Sequence, residues 1–178
     1  MDAITVLSDL AARPLQALDY FWDELEPARI NDRPGGHPNS IAWLLWHSAR
    51  ETDAQIAPLS DTSEVWTAQG FAQRFDFDGQ DLGAFDMGYG QNPAAAEAIT
   101  VPATQEGKSL LREYLEAVYQ HLGKWIPTLD ASELDRVVDH HYDPPVTLGV
   151  RVISVIDDAV QHVGQAAYIA GMPLRPSH

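Results

Sequence analysis

The sequence predicts an all-α protein, a four-helix bundle with one long connection inside it. Three observations carry the prediction. Apolar residues recur at helical spacing in four separate stretches, no run of residues reads convincingly as strands, and an irregular, glycine-broken stretch divides the second helix from the third.

The first helix is expected over residues 4–26, where Leu7, Leu10, Ala11, Leu15, Leu18 and Trp22 form a stripe. Pro14 falls inside it and predicts a kink or a fresh start. Arg33-Pro34-Gly35-Gly36-His37-Pro38 then reads as a loop. Asn39 or Ser40 can cap a second helix over 41–57, whose core face carries Ile41, Leu44, Leu45, Ser48, Thr52 and Ile56. His47 borders that face. The following stretch predicts short helical turns near 63–67 and 71–74, interrupted afterwards by Gly79, Gly83, Gly88, Gly90 and Pro93. Thr104 opens a third helix reaching 122 or 125, with Leu110, Leu111, Tyr114, Leu115, Val118 and Leu122 on its apolar face. Residues 139–145 read as a loop. Thr147 caps the last helix, 148–170, with Gly171 as its stop signal.

The chain has 178 residues, 45% of them hydrophobic, enough for one domain (1–178) with a real core. It has no cysteine, so any metal site must be built from His, Asp, Glu and water. Its net charge of −15 argues against nucleic acid, whose binding depends on Lys and Arg neutralising phosphates, and against anionic membranes. No run is apolar enough for a membrane span and the N-terminus lacks a signal-peptide pattern, so a cytoplasmic protein is expected.

Asp158 and His162 stand out on the last helix. Four residues apart, they share one helix face, and they interrupt the stripe of Val152, Val155, Ile156, Ala159, Val163 and Ala166. Burying them without a partner is costly. Spacing alone leaves two readings open, an ordinary ion pair or a metal site with His47 as third ligand. Two imidazoles and a carboxylate suit Zn²⁺, Ni²⁺ or Fe²⁺ better than Mg²⁺ or Ca²⁺, and three protein ligands leave a position for water or substrate. The adjacent pair His140-His141 diverges too much to chelate and is read as loop; His37 and His121 are read as surface residues. Trp22, Trp43 and Trp46 are read as core or interface aromatics, Gly164 as a close-packing position, and Glu51 and Asp53 as solvated or paired with Arg50. No nucleophile elbow, Walker loop or dinucleotide-binding turn is present.

Several segments together resemble the DinB superfamily, also called DinB/YfiT-like. They are Asn39-Ser40-Ile41-Ala42-Trp43-Leu44-Leu45-Trp46-His47 with Arg50 and Asp53, the Gly88-Tyr89-Gly90 loop, and the block from Asp143-Pro144-Pro145 through Asp158-x-x-x-His162 to Tyr168. The resemblance spans essentially the whole chain and looks closest to an actinobacterial-type branch. It implies a four-helix bundle with a long crossover connection and a divalent metal, Zn or Ni first, held by His47, Asp158 and His162. The sequence departs from the commonest family pattern at Asp158, where histidine is usual; mycothiol-dependent maleylpyruvate isomerases are similar in using a carboxylate there. The resemblance further implies a thiol S-transferase or isomerase acting on a small-molecule electrophile with a low-molecular-weight thiol such as mycothiol, and a homodimer. A metal-dependent hydrolase and a non-catalytic binding module with a degenerate site are the alternatives.

Overall fold

The computed structural model describes residues 1–173. Its first helical stretch is two helices, α1 (Ala3–Ala11) and α2 (Arg13–Trp22). Pro14 lies in the first turn of α2, where its missing N–H breaks the ladder but costs least. The other long helices are α3 (Ile41–Ile56), α7 (Gln105–Trp125) and α8 (Leu148–Gly171). Ser40, Thr104 and Thr147 cap them, each side-chain oxygen accepting a backbone N–H three residues on. Gly171 is not a stop, because the helix continues through it and ends when Met172 turns extended.

These segments pack as a four-helix bundle. The α1–α2 pair and α3 lie at opposite corners, and each contacts both α7 and α8. The crossover between α3 and α7 carries the short helices α4 (Val65–Ala68), α5 (Phe71–Phe75) and α6 (Pro93–Ala98). The first two match the expected turns; α6 was not anticipated. Because this crossover folds back over α3, every residue from Ile41 to Arg50 is buried, not one face alone. Trp66, Phe71 and Phe75 of the crossover pack on Tyr114, and Phe77 meets Trp46 edge-on.

A buried polar clasp fastens the crossover. Asp53 accepts the backbone N–H groups of Val65 and Trp66, both at 2.8 Å, and the Tyr114 hydroxyl at 2.9 Å. Arg50, 1% exposed, donates to Asp53 and to the Asp86 carbonyl at 2.9 Å, and lies 3.1 Å from the Glu64 carboxylate. Burial pushes the Tyr114 hydroxyl well above the ordinary tyrosine range, so it stays a donor.

One expectation needs correction. No strand was expected, yet the loop read at 139–145 is flanked by a small antiparallel hairpin, β1 (Val137–Asp139) with β2 (Val146–Thr147), whose first strand takes in Asp139. Strands this short carry no visible alternation, which is why the sequence pattern misses them. Of the two readings open for Trp22, Trp43 and Trp46, core or interface, the structure shows the core, and Trp66 joins them there. Among the described residues no helix is long and apolar enough to cross a membrane.

Removing Asp53 would orphan two buried N–H groups and a phenol at once, and would take one of its two carboxylates from the buried Arg50. Asp53→Ala is expected to destabilise the fold by about 3–5 kcal/mol, the usual cost of breaking a buried, hydrogen-bonded charge pair. Denaturant unfolding checks this; a loss under about 1 kcal/mol would show that the clasp is dispensable.

Candidate metal centre

Helices α3 and α8 run antiparallel, so residues rising along one meet residues falling along the other: His47 faces Asp158 and Gln55 faces Arg151. The four-residue step on α8 stacks Asp158 and His162 towards His47. His47 Nε2 lies 3.8 Å from Asp158 Oδ2, and His162 Nε2 lies 3.5 Å from Asp158 Oδ1. The two imidazoles are 4.9 Å apart between centroids, inclined at 73°. One ligand atom from each residue fits within a span of 4.8 Å, so the group is able to hold a metal ion.

Both histidines are oriented from behind. His47 Nδ1 is hydrogen-bonded to the Met87 carbonyl, and His162 Nδ1 to Gln165 Oε1 at 2.9 Å. A carbonyl oxygen can only accept, so each Nδ1 carries the proton and each Nε2 keeps its lone pair for the interior. This is the outer support that metal-ligating histidines ordinarily have. Trp43 stacks on His47 at 4.6 Å and is itself held by Gln91 at 2.7 Å. Gly88, at φ +89°, is the one residue able to close over this pair: a Cβ there would sit 3.0 Å from both His47 Nδ1 and Trp43 Cζ2.

The residues fit a cation. Neither histidine closes on Asp158: His47 stands 3.8 Å from Oδ2 and His162 3.5 Å from Oδ1, both beyond hydrogen-bond length, and the proton-bearing neighbour of this carboxylate is Glu51. An internally satisfied ion pair would close those gaps. The two-nitrogen, one-carboxylate donor set suits a divalent transition metal.

A family model described as the DinB superfamily matches residues 11–166. The chain belongs to the DinB superfamily. A crystal structure of a conserved protein from Enterococcus faecalis is similar, with 30% identity, 96% of each chain covered and a TM-score of 0.83. No curated protein matches the chain.

Electrostatics in this DinB superfamily protein depend on burial. Burial lowers the His47 pKa, which keeps its imidazole neutral. Burial also opposes charge on His162, but Asp158 and Gln165 outweigh it and raise that pKa. Burial disfavours the Asp158 carboxylate too, yet His162, Glu51 and His47 hold its pKa well below the usual range. Of the residues expected to be solvated or paired with Arg50, Asp53 is so paired, but Glu51 is not. It lies against Asp158, and burial, followed by that neighbour, pushes its pKa up to about 9. Gln55 donates to Glu51 at 2.6 Å, Arg151 donates to Gln55, and Arg151 continues to Asp139 at 2.8 Å. The available signal for Glu51 was its position four residues after His47, a H-x-x-x-E step facing the D-x-x-x-H step of α8.

The remaining candidates stay apart. His141 is bonded to Asp139 at 94% side-chain exposure, and His140 is exposed. His121 bonds Ser60 and Thr62, and His37 lies on the surface. Gly164 packs against nothing.

Two pH effects follow. Metal must displace a proton from His162, so Zn²⁺ affinity is expected to fall about tenfold per unit of pH once below the raised His162 pKa. Chelator competition between pH 5.5 and 8 measures it; a flat profile would remove His162 from the ligand set. For Glu51 the folded pKa is raised, so its stabilising contribution is complete below its ordinary value of 4.5 and is lost as pH rises towards 9. Metal-free Glu51→Gln should therefore exceed the unaltered protein in stability at pH 8 by at least about 1 kcal/mol, one pKa unit's worth, with little gain near pH 4.5. Thermal unfolding of both across that range decides it.

Proposed function

We propose that this DinB superfamily protein is a metal-dependent enzyme that acts on a low-molecular-weight thiol, as an S-transferase or isomerase, with His47, Asp158 and His162 as metal ligands. The observation that carries the reading is the pair of inward Nε2 lone pairs beside the Asp158 carboxylate, one ligand atom from each residue lying within a span of 4.8 Å. Such a set has three protein donors and leaves room for a ligand from solution. The chain has no cysteine of its own, so a sulfur nucleophile would have to come from a small molecule. A bound divalent cation supplies Lewis acidity, favouring thiolate at neutral pH.

The protein's own groups have separable tasks. Met87 and Gln165 fix the two imidazole tautomers, and Trp43 with Gly88 excludes water from one side of His47. In a transfer, the thiol sulfur bonds to the electrophilic carbon, and the leaving group departs with its electron pair and takes up the proton the thiol gave up. In an isomerisation the thiol adds and is later expelled, so it is regenerated.

Glu51 favours a second reading, a metal-dependent hydrolase, because a carboxyl beside the triad suits proton transfer from an activated water. A non-catalytic module with a degenerate site fits less well, since neither histidine closes on Asp158 to form a hydrogen-bonded ion pair.

One experiment separates the three. Zn²⁺- or Ni²⁺-loaded protein is incubated with an electrophile panel with and without mycothiol, bacillithiol or glutathione. Turnover is expected to require both thiol and metal and to fall at least about a hundredfold in His47→Ala, the loss of a few kcal/mol of barrier lowering. Thiol-independent product would establish the hydrolase, and tight metal binding without turnover the binding module.

A further inference from the structure

Gly164 sits in the interior of α8, two residues past His162, and packing gives no reason for it. A methyl group there would meet no atom within 4 Å. A glycine inside a helix costs about 0.5–1 kcal/mol relative to alanine, so the position is locally unfavourable without structural return. The space beside it is a groove of about 460 Å³.

The groove abuts the triad. Leu44 lines it one turn before His47, and Gln165, which lines it too, holds the Nδ1 of His162. Its polar groups are the carboxamides of Asn39, Gln161 and Gln165, the imidazole of His37 and the phenol of Tyr168; Leu44 and Ile169 are among its apolar ones. None of the described residues lining it is Asp, Glu, Lys or Arg, on a chain with 26 acidic residues and a net charge of −15. An anion would approach against the protein's field, and a cation would find no carboxylate among the lining residues to hold it. Carboxamides both donate and accept, which matches amides and hydroxyls.

We propose that this groove binds the organic body of the substrate, that its ligand class is a small uncharged molecule joining apolar surface to an amide or hydroxyl group, and that Gly164 keeps the space open. The proposal deepens the enzymatic reading above by naming a substrate class, but binding in the groove requires neither metal nor thiol.

The test uses three near-isosteric probes, benzamide, benzoate and benzylammonium, on the full-length, chelator-treated protein labelled with ¹⁵N. Benzamide is expected to bind in the millimolar range, as suits so small a ligand, and to shift the backbone amides of Gly164, Gln165 and Tyr168 saturably. The two charged probes are expected to bind at least tenfold more weakly. Gly164→Leu should weaken benzamide at least tenfold by filling the groove. Gly123→Leu should leave it unchanged, because that α7 glycine is equally free of neighbours and lies outside the groove. Both substitutions raise helix propensity, so unfolding is not the expected failure. Equal binding of the three probes, shifts elsewhere in the protein, or undiminished binding to Gly164→Leu would each overturn the proposal. Since metal and thiol are absent, none of these outcomes bears on thiol-dependent turnover, and failure of turnover leaves the groove untouched.

Discussion

A buried guanidinium organises this molecule. Arg50 has five N–H donors and almost no access to water, so it must be met by acceptors from the protein. Asp53 and Glu64 supply carboxylates, and Asp86 supplies a carbonyl from the middle of the crossover. Trp66 lies under its charge at 5.1 Å. Satisfying one side chain therefore ties α3 to two separated parts of a long connection. Met87 follows Asp86 directly, and its carbonyl is the one that sets the His47 tautomer. The clasp and the candidate metal centre are thus consecutive parts of one folding problem, although no clasp residue is proposed as a ligand.

The centre itself rests on helices rather than loops. α3 and α8 hold its side chains on rigid backbones, and the loop around Gly88 only orients and shields them. A site on elements of this kind is held more tightly in position than one built from loops. The short side chain of Asp158 is no obstacle, because the close antiparallel approach of α3 brings His47 within 4 Å of it and the four-residue step on α8 does the same for His162.

Much of this was legible in sequence. The three major caps, the apolar stripes and the D-x-x-x-H step are local patterns, and local patterns survive translation into structure. His47 was legible only as a residue bordering a stripe, and the family resemblance supplied its link to α8. What escaped depends on contacts between distant segments. Glu51 looks solvated in a helix read alone, because its burial is created by α8 and by Gln55. Gly164 looks like a packing glycine until the neighbouring helices are seen to lie elsewhere. The β1–β2 hairpin is too short to carry a period.

The chain from Arg151 through Gln55 to Glu51 has a directional consequence. Arg151 can only donate, so the Gln55 oxygen must turn to it and the Gln55 NH₂ must turn to Glu51. Glu51 Oε1 is then committed as an acceptor, and the proton of the neutral acid belongs on Oε2, from which the carboxyl can donate to Asp158. With that proton in place and both imidazoles neutral, as metal ligation requires, the buried cluster carries a single negative charge, on Asp158. A divalent ion entering it would leave one positive charge in excess, and departure of the Glu51 proton would bring the sum to zero. Cation and proton are in this sense rivals for the charge of Asp158, and the cluster reaches electroneutrality by giving up one as it takes the other.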